Sequence, residues 1–252
     1  MTKIKKIIAL TAIECVRGGI MRHDEIEEMR TLPLFVGVAS THVESMLRAS
    51  FLQRFPAHVE LAREGDPADF LHVIIDGQIE MYSAYRDRET TISVIGPGHS
   101  FIVAAVILDR VYLKSARALL PSRVLLIPAE AVRRSFGEDA AFSRALALEL
   151  AGAYRGVVRE LKNQKLRSSL ERLANWVLTH HGESGGTGRF ELPFDKKVLA
   201  SRLGMAPEVL SRSIAALVPY GVKVSGRVVE ISDMVALNGL AHPSPTIDGT
   251  VS

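Results

Sequence analysis

Three textures follow one another along the 252 residues and predict an α+β protein. The first is a set of apolar runs, four to seven residues long, punctuated by glycine turns, which reads as β-structure. The second is a proline-free stretch with helical apolar spacing. The third is a basic segment in which two short helical patterns flank Gly204 and a hairpin pattern follows.

The N-terminal end sets the compartment. MTKIKK followed by IIALTAIECV has the basic start and short apolar stretch of a secretory leader, but Thr11 and Glu14 interrupt it and no small-residue cleavage site follows. Residues 1–20 therefore read as an upstream extension, with Met21 as an alternative start. Cys15 is the single cysteine, so no disulfide framework, cysteine-rich zinc site or cysteine-held iron–sulfur cluster is expected within one chain. No apolar run reaches the roughly 18 residues of a membrane span. A cytoplasmic protein without a metal or membrane partner is the expectation.

Residues 21–137 read as the β-rich domain. One or two short helices are predicted between Pro33 and Ser50, with Ser40 as an N-cap. Strand-like runs rich in Val, Ile, Leu and Tyr come next, separated by turns at Gly65-Asp66-Pro67, Asp76-Gly77 and Gly96-Pro97-Gly98. Such regular spacing indicates a barrel or roll.

A long helix is predicted over 138–164. Phe142, Leu146, Leu150, Ala153, Val157 and Leu161 recur at steps of four, four, three, four and four, close to a coiled-coil seam. Glu149, Arg155, Arg159, Glu160 and Lys162 lie off that seam. The six apolar residues are read as a dimer interface; the alternative is a helix lying on its own barrel.

Residues 165–240 form the third part. A helix from Leu166 to His181 carries Leu170, Leu173, Ala174, Val177 and Leu178 on one side, with Trp176 as a packing anchor. The glycine-rich ESGGTGR loop lacks the lysine and hydroxyl of a phosphate-binding loop. FELPF reads as a short strand, Asp195 caps the helix KKVLASRLG, and Gly204 makes the turn into a helix from Pro207 to about Pro219. KVSGRVVEIS is a hairpin turning at Ser225-Gly226. The tail, 241–252, rich in Pro, Ser and Thr, is expected to be flexible.

That helix–turn–helix carries the functional chemistry. Glu208, Ser211 and Arg212 stand at i, i+3 and i+4, on one face near the helix end that enters a DNA major groove. Arginine donates twice to the O6/N7 edge of guanine, and glutamate accepts from the cytosine amino group. Between Arg155 and Arg227 there are thirteen Lys/Arg against six Asp/Glu, although the whole chain carries only +3. A basic C-terminal half fits a polyanion partner, and Lys196 is read as a phosphate contact. No GxSxG, HExxH or P-loop occurs, and no length is left over for a catalytic domain, so an enzyme is not expected.

The order of these parts resembles the Crp/Fnr superfamily of bacterial transcription regulators, over nearly all of residues 30–238. REGDPADFLHVIIDGQIEMY is similar to that family's roll motif, with Gly65, Asp66 and Gly77 at the turns. E-x-x-S-R at Glu208, Ser211 and Arg212 resembles the Fnr-like branch, and Pro207 stands where the cyclic-AMP-responsive branch has arginine. The resemblance implies an N-terminal double-stranded β-roll of the cyclic-nucleotide-binding type, a long dimerisation helix and a winged helix-turn-helix. It further implies a homodimer on double-stranded DNA with palindromic TTGAT-like half-sites about 34 Å apart, RNA polymerase as a partner, and a small-molecule effector in the roll.

In that family a cyclic-nucleotide pocket uses a Gly-Glu pair and an Arg-Ser/Thr pair. The corresponding positions here are Val103-Ala104 and Lys114-Ser115, without the ribose acceptor, which points away from cyclic nucleotides. Phe101, Ile102, Val103 and Val106 as apolar walls, with Tyr112, Lys114, Ser115 and Arg117, indicate a small organic acid as effector; similarity to aromatic-acid-responsive regulators makes 4-hydroxybenzoate the leading example. The alternative is a haem sensor of nitric oxide or carbon monoxide, with His23, His42, His58, His72 and His99 as the available imidazoles.

Overall fold

The computed structural model describes residues 21–249; the expected extension over 1–20, with Cys15, lies outside the described residues. Helices α1 (His23–Arg30) and α2 (Ser40–Ala49) lead into the glycine-punctuated runs. These form β1 (Phe51–Phe55), β2 (Glu60–Ala62), β3 (Phe70–Asp76), β4 (Ile79–Tyr85), β5 (Arg88–Ile95), β6 (Ser100–Phe101), β7 (Ser115–Ala118) and β8 (Ser122–Pro128), with a short helix α3 (Val103–Leu108) after β6. They pair into two four-stranded antiparallel sheets, ordered β1-β8-β3-β6 and β2-β7-β4-β5.

The turn at Asp76-Gly77 holds for a steric reason. Gly77, between β3 and β4, has φ +92°, and a Cβ there would lie 2.1 Å from Ser122 Oγ and 2.7 Å from the Pro121 carbonyl. Only glycine meets both demands. Leu71, His72, Val73 and Ile74 of β3 are buried in succession, because both faces of their sheet are covered. Helices α2 and α4 (Ala129–Glu138) pack against it, and Ile79, Met81, Ala116 and Ala118 of the other sheet share its core.

Ser40, expected as an N-cap, is instead the first residue of α2. Ala39 holds the cap position, and its N–H donates to Asp139 Oδ2 at 3.0 Å. Asp139 Oδ1 accepts from the Phe142 amide at 2.9 Å. One carboxylate thus ends α4, starts the 27-residue helix α5 (Ala140–Leu166) and ties α2 to both. Those backbone donors, Phe142 first and Ala39 second, hold the Asp139 carboxyl below its ordinary range.

The proposed dimer seam needs correction over its first half. Phe142 and Leu146 are fully buried within their own chain, with Phe142 stacked on Phe35 at 6.4 Å. Leu150 packs half-buried against the same core. Ala153, Val157 and Leu161 are exposed, as a partner-facing seam requires, and Leu148, Tyr154 and Val158 add to the uncovered apolar surface. Helical spacing specifies a stripe but not its partner, and the roll claims the first two turns. The division into compact units follows suit: one ends at Gly152 and the other begins at Ala153, inside α5 rather than at either of its ends.

The second unit contains α6 (Ser169–Glu183), β9 (Arg189–Glu191), α7 (Lys196–Arg202), α8 (Pro207–Ala216), β10 (Val222–Ser225), β11 (Val228–Ile231) and α9 (Met234–Ala241). Its sheet order is β10-β11-β9. Helix α6 begins with a capping box: Ser168 Oγ accepts from the Glu171 amide, while Glu171 accepts from the Ser168 N–H at 2.7 Å. Trp176 anchors packing as expected, stacked on His180 at 5.0 Å and meeting Phe190 and Phe194.

Two expectations fail here. Asp195 occupies the N-cap of α7, but its side chain caps nothing and faces Arg227 at 3.4 Å. Over its described part, 241–249, the tail is held rather than flexible. Arg167 donates to both oxygens of Asp248 at 2.6 Å each, and the two side chains are only 6% and 9% exposed. The Ser244 amide donates to the same carboxylate at 2.6 Å, and Lys162 Nζ reaches Thr246 Oγ1 at 2.8 Å. Proline and serine content marks a segment without a helix or strand; it says nothing about tertiary anchors such as Asp248.

Candidate nucleic-acid interface and residues of the roll

The predicted functional residues fall into two groups, one in each unit. The first is α8. Ala206 at its N-cap is extended and Pro207 sits at the first turn, where the missing N–H costs nothing. Leu210 and Ser213, with Leu217 just beyond, are buried on one side of this helix. Glu208, Ser211 and Arg212 are exposed on the other.

Among the described residues none of the three has a hydrogen bond or ion pair within the chain, so Arg212 does not spend its charge on Glu208 one turn away. Gly204, with φ +62°, makes the turn between α7 and α8. Lys196, at the first position of α7, is also exposed.

The basic surplus of this region divides into struts and free charges. Arg167 is neutralised by Asp248. Arg172 donates to the carbonyls of Leu203 and Arg167, each at 2.8 Å. Arg227 donates to the Leu192 carbonyl at 2.7 Å, and Arg202 lies over the Phe194 ring at 5.9 Å. Lys196, Lys197, Arg212 and Lys223 are exposed without a partner among the described residues. Lys197 and Lys223 are therefore candidate phosphate contacts that a net-charge count along the chain does not single out.

The second place is the roll. Phe101, Val103 and Tyr112 are all buried, and Phe101 and Tyr112 both lie against the ring of His72. Val106, also named as a wall, is fully buried, and Ile102 is half-buried. Burial pushes the Tyr112 hydroxyl up to about 12.

Lys114 is half-buried with no partner among the described residues, and burial lowers its pKa. Ser115 is engaged, its Oγ accepting from the Glu64 amide at 2.9 Å.

Arg117 belongs to a different structure. Its guanidinium donates to Glu80 at 2.6 Å and to Glu89 at 2.8 Å, and lies over the Tyr82 ring at 4.3 Å. Glu80 is 1% exposed and also accepts from Thr91 Oγ1. Arg117 is thus the counter-charge of a buried carboxylate rather than an effector contact. Sequence grouped it with Ser115 as an effector contact; the acidic partners on β4 and β5 became visible only with the sheet register.

The two residues matched above to the ribose-binding pair carry no acidic group. Val103 is buried in α3 and Ala104 is exposed, and neither supplies a carboxylate.

Comparison with known proteins agrees with this architecture. Residues 52–139 match the cyclic nucleotide-binding domain family and residues 171–240 match the Crp-like helix-turn-helix domain. A CRP-like cAMP-activated global transcriptional regulator of Mycobacterium tuberculosis is 22% identical over 206 residues, covering 79% of this chain and 92% of that protein. Among solved structures, FixK2 from Bradyrhizobium japonicum superposes with a TM-score of 0.68 at 20% identity, over 77% of this chain and 98% of its own. A CRP-family transcriptional regulator from Thermus thermophilus gives a TM-score of 0.64 at 19% identity, over 79% and 100%. With an effector-type roll and a Crp-like helix-turn-helix in the expected order, the chain belongs to the Crp/Fnr family of transcription regulators and is not an enzyme.

Proposed function

We propose that two copies of this chain read a palindromic operator through Glu208, Ser211 and Arg212, under control of a small organic acid held in the roll. One observation carries the DNA reading: the three side chains are exposed and unpaired on one face of α8, while the opposite face is buried. They therefore reach a groove without first breaking an internal bond. The two-fold operator follows from a homodimer formed along the exposed half of α5, at Ala153, Val157 and Leu161. TTGAT-like half-sites are the expected sequence, RNA polymerase the downstream partner, and the cytoplasm the place of action.

In the roll, Lys114 offers an unpaired cation and Phe101, Val103 and Tyr112 offer apolar walls, a combination suited to an aromatic acid such as 4-hydroxybenzoate. Effector binding shifts a population of conformers toward the one that sets both α8 helices in register with the half-sites.

Fluorescence anisotropy with a TTGAT palindrome tests the reading. Each changed base pair is expected to cost about 1–3 kcal/mol; equal affinity for scrambled duplexes overturns it.

Haem-based gas sensing is the second reading, and the buried imidazole of His72 is what favours it. His99 and His42 lie beside Glu149 and Glu138 at 3.9 Å and carry no such argument. A Soret absorbance band in the purified protein decides in its favour.

A further inference from the structure

Among the described residues, His72 is the one buried imidazole of the roll. It stands directly opposite Phe101 in the β3–β6 pair, with the rings stacked at 4.8 Å, and Tyr112 meets it edge-on at 6.4 Å. It is 4% exposed, and its Nδ1 has no hydrogen-bond partner among the described residues. Buried polar atoms are almost always paired, so an unpaired one calls for an explanation. Burial drives the pKa of His72 down to about 4, against the pull of the Phe70 carbonyl, so the ring is neutral at physiological pH.

A second observation lies next door. Ile102 has φ +67°. A β-branched residue in the left-handed region is strained, and such strain concentrates at ligand clamps and switch regions. Ile102 links Phe101 to Val103, between two of the residues assigned to the effector.

We propose that the effector presents a hydroxyl group to His72, so that the roll selects a hydroxylated acid over the plain acid. A hydroxyl both donates and accepts, and therefore satisfies either tautomer of a neutral imidazole. A carboxylate at the same spot is a buried charge without a counter-charge. The carboxylate end goes instead to Lys114, the unpaired half-buried cation, and the stacked aromatic walls cover the body of the ligand. This inference rests on the acid-binding reading above.

Calorimetry on the full-length protein with 4-hydroxybenzoate and benzoate tests it. Wild type is expected to favour the hydroxylated acid about tenfold, the worth of one well-made hydrogen bond. His72→Phe keeps a ring against Phe101 but removes both nitrogens, and brings the ratio of the two affinities down to about one. His72→Gln, which donates and accepts, restores part of the preference.

An unchanged preference in His72→Phe overturns the role of His72 and leaves the acid reading standing. If that variant does not fold, wild type still decides, because equal affinity for the two acids overturns the proposal. Binding of neither acid, or a Soret band lost in His72→Phe, removes the acid reading and this inference with it.

Discussion

Arg117 in the roll and Arg212 in the winged unit look alike along the chain, since each sits in a segment with a functional reading and close to a serine. Folding gives them opposite lives. Arg117 is clamped between Glu80 and Glu89 and stacked on Tyr82. Arg212 is exposed, with no partner among the described residues. The contrast extends to the units that hold them. Many polar groups in the roll are consumed in holding it together, while Lys114, His72 Nδ1, Gln53 Nε2 and Gln78 Oε1 have no hydrogen-bond partner among the described residues. The winged unit sorts its cations into struts, such as Arg167 and Arg172, and a free set on the surface. A guanidinium is a candidate for recognition only after its internal partners have been counted.

The largest effect that sharpens this comparison is expected at the start of α5. Phe142→Ala should cost about 3–5 kcal/mol of stability, read as a fall in the thermal unfolding midpoint that does not depend on protein concentration. A stable monomer instead would return Phe142 to the dimer seam. Asp248→Ala comes next, at roughly 3 kcal/mol, because it strands a buried guanidinium.

The same pair predicts acid sensitivity. Burial pushes the Asp248 carboxyl up, but hydrogen bonds from Arg167 and the Ser244 amide outweigh it and hold the pKa below its ordinary value. A depressed carboxyl contributes stability that is present above its unfolded pKa and lost as pH falls through its folded one. Wild type should therefore lose this contribution below about pH 4, whereas Asp248→Ala should show a shallower acid slope; parallel slopes would dissociate Asp248 from acid unfolding.

Arg212→Ala should lose about 1–3 kcal/mol of operator affinity while keeping its affinity for random duplex. Arg117→Ala should do the reverse of a recognition mutant, lowering the melting midpoint and sparing DNA specificity in the fraction that stays folded. If Arg212→Ala leaves the operator isotherm unmoved, the distinction between the two arginines collapses. The smallest effect belongs to Lys196→Ala. It should weaken every duplex alike and reduce the salt dependence by about one counterion, a log–log slope change of roughly 0.9.

Much of this was legible along the chain. Gly77 and Gly204 announced their turns because glycine adopts a positive φ without the penalty of a Cβ. Hydrophobic spacing announced α5, and the i, i+3, i+4 set of Glu208, Ser211 and Arg212 announced an exposed polar face. These are local properties, encoded within a few residues of one another, and periodicity suffices to read them.

What folds against what is not local. That Phe142 and Leu146 enter the roll core, that Asp139 binds Ala39, and that Asp248 returns to Arg167 all depend on residues far apart in the chain. Net charge along a segment cannot show which cations those distant carboxylates will take. The unpaired Nδ1 of His72 is of the same kind: a histidine in a strand acquires meaning only when its sheet has closed around it.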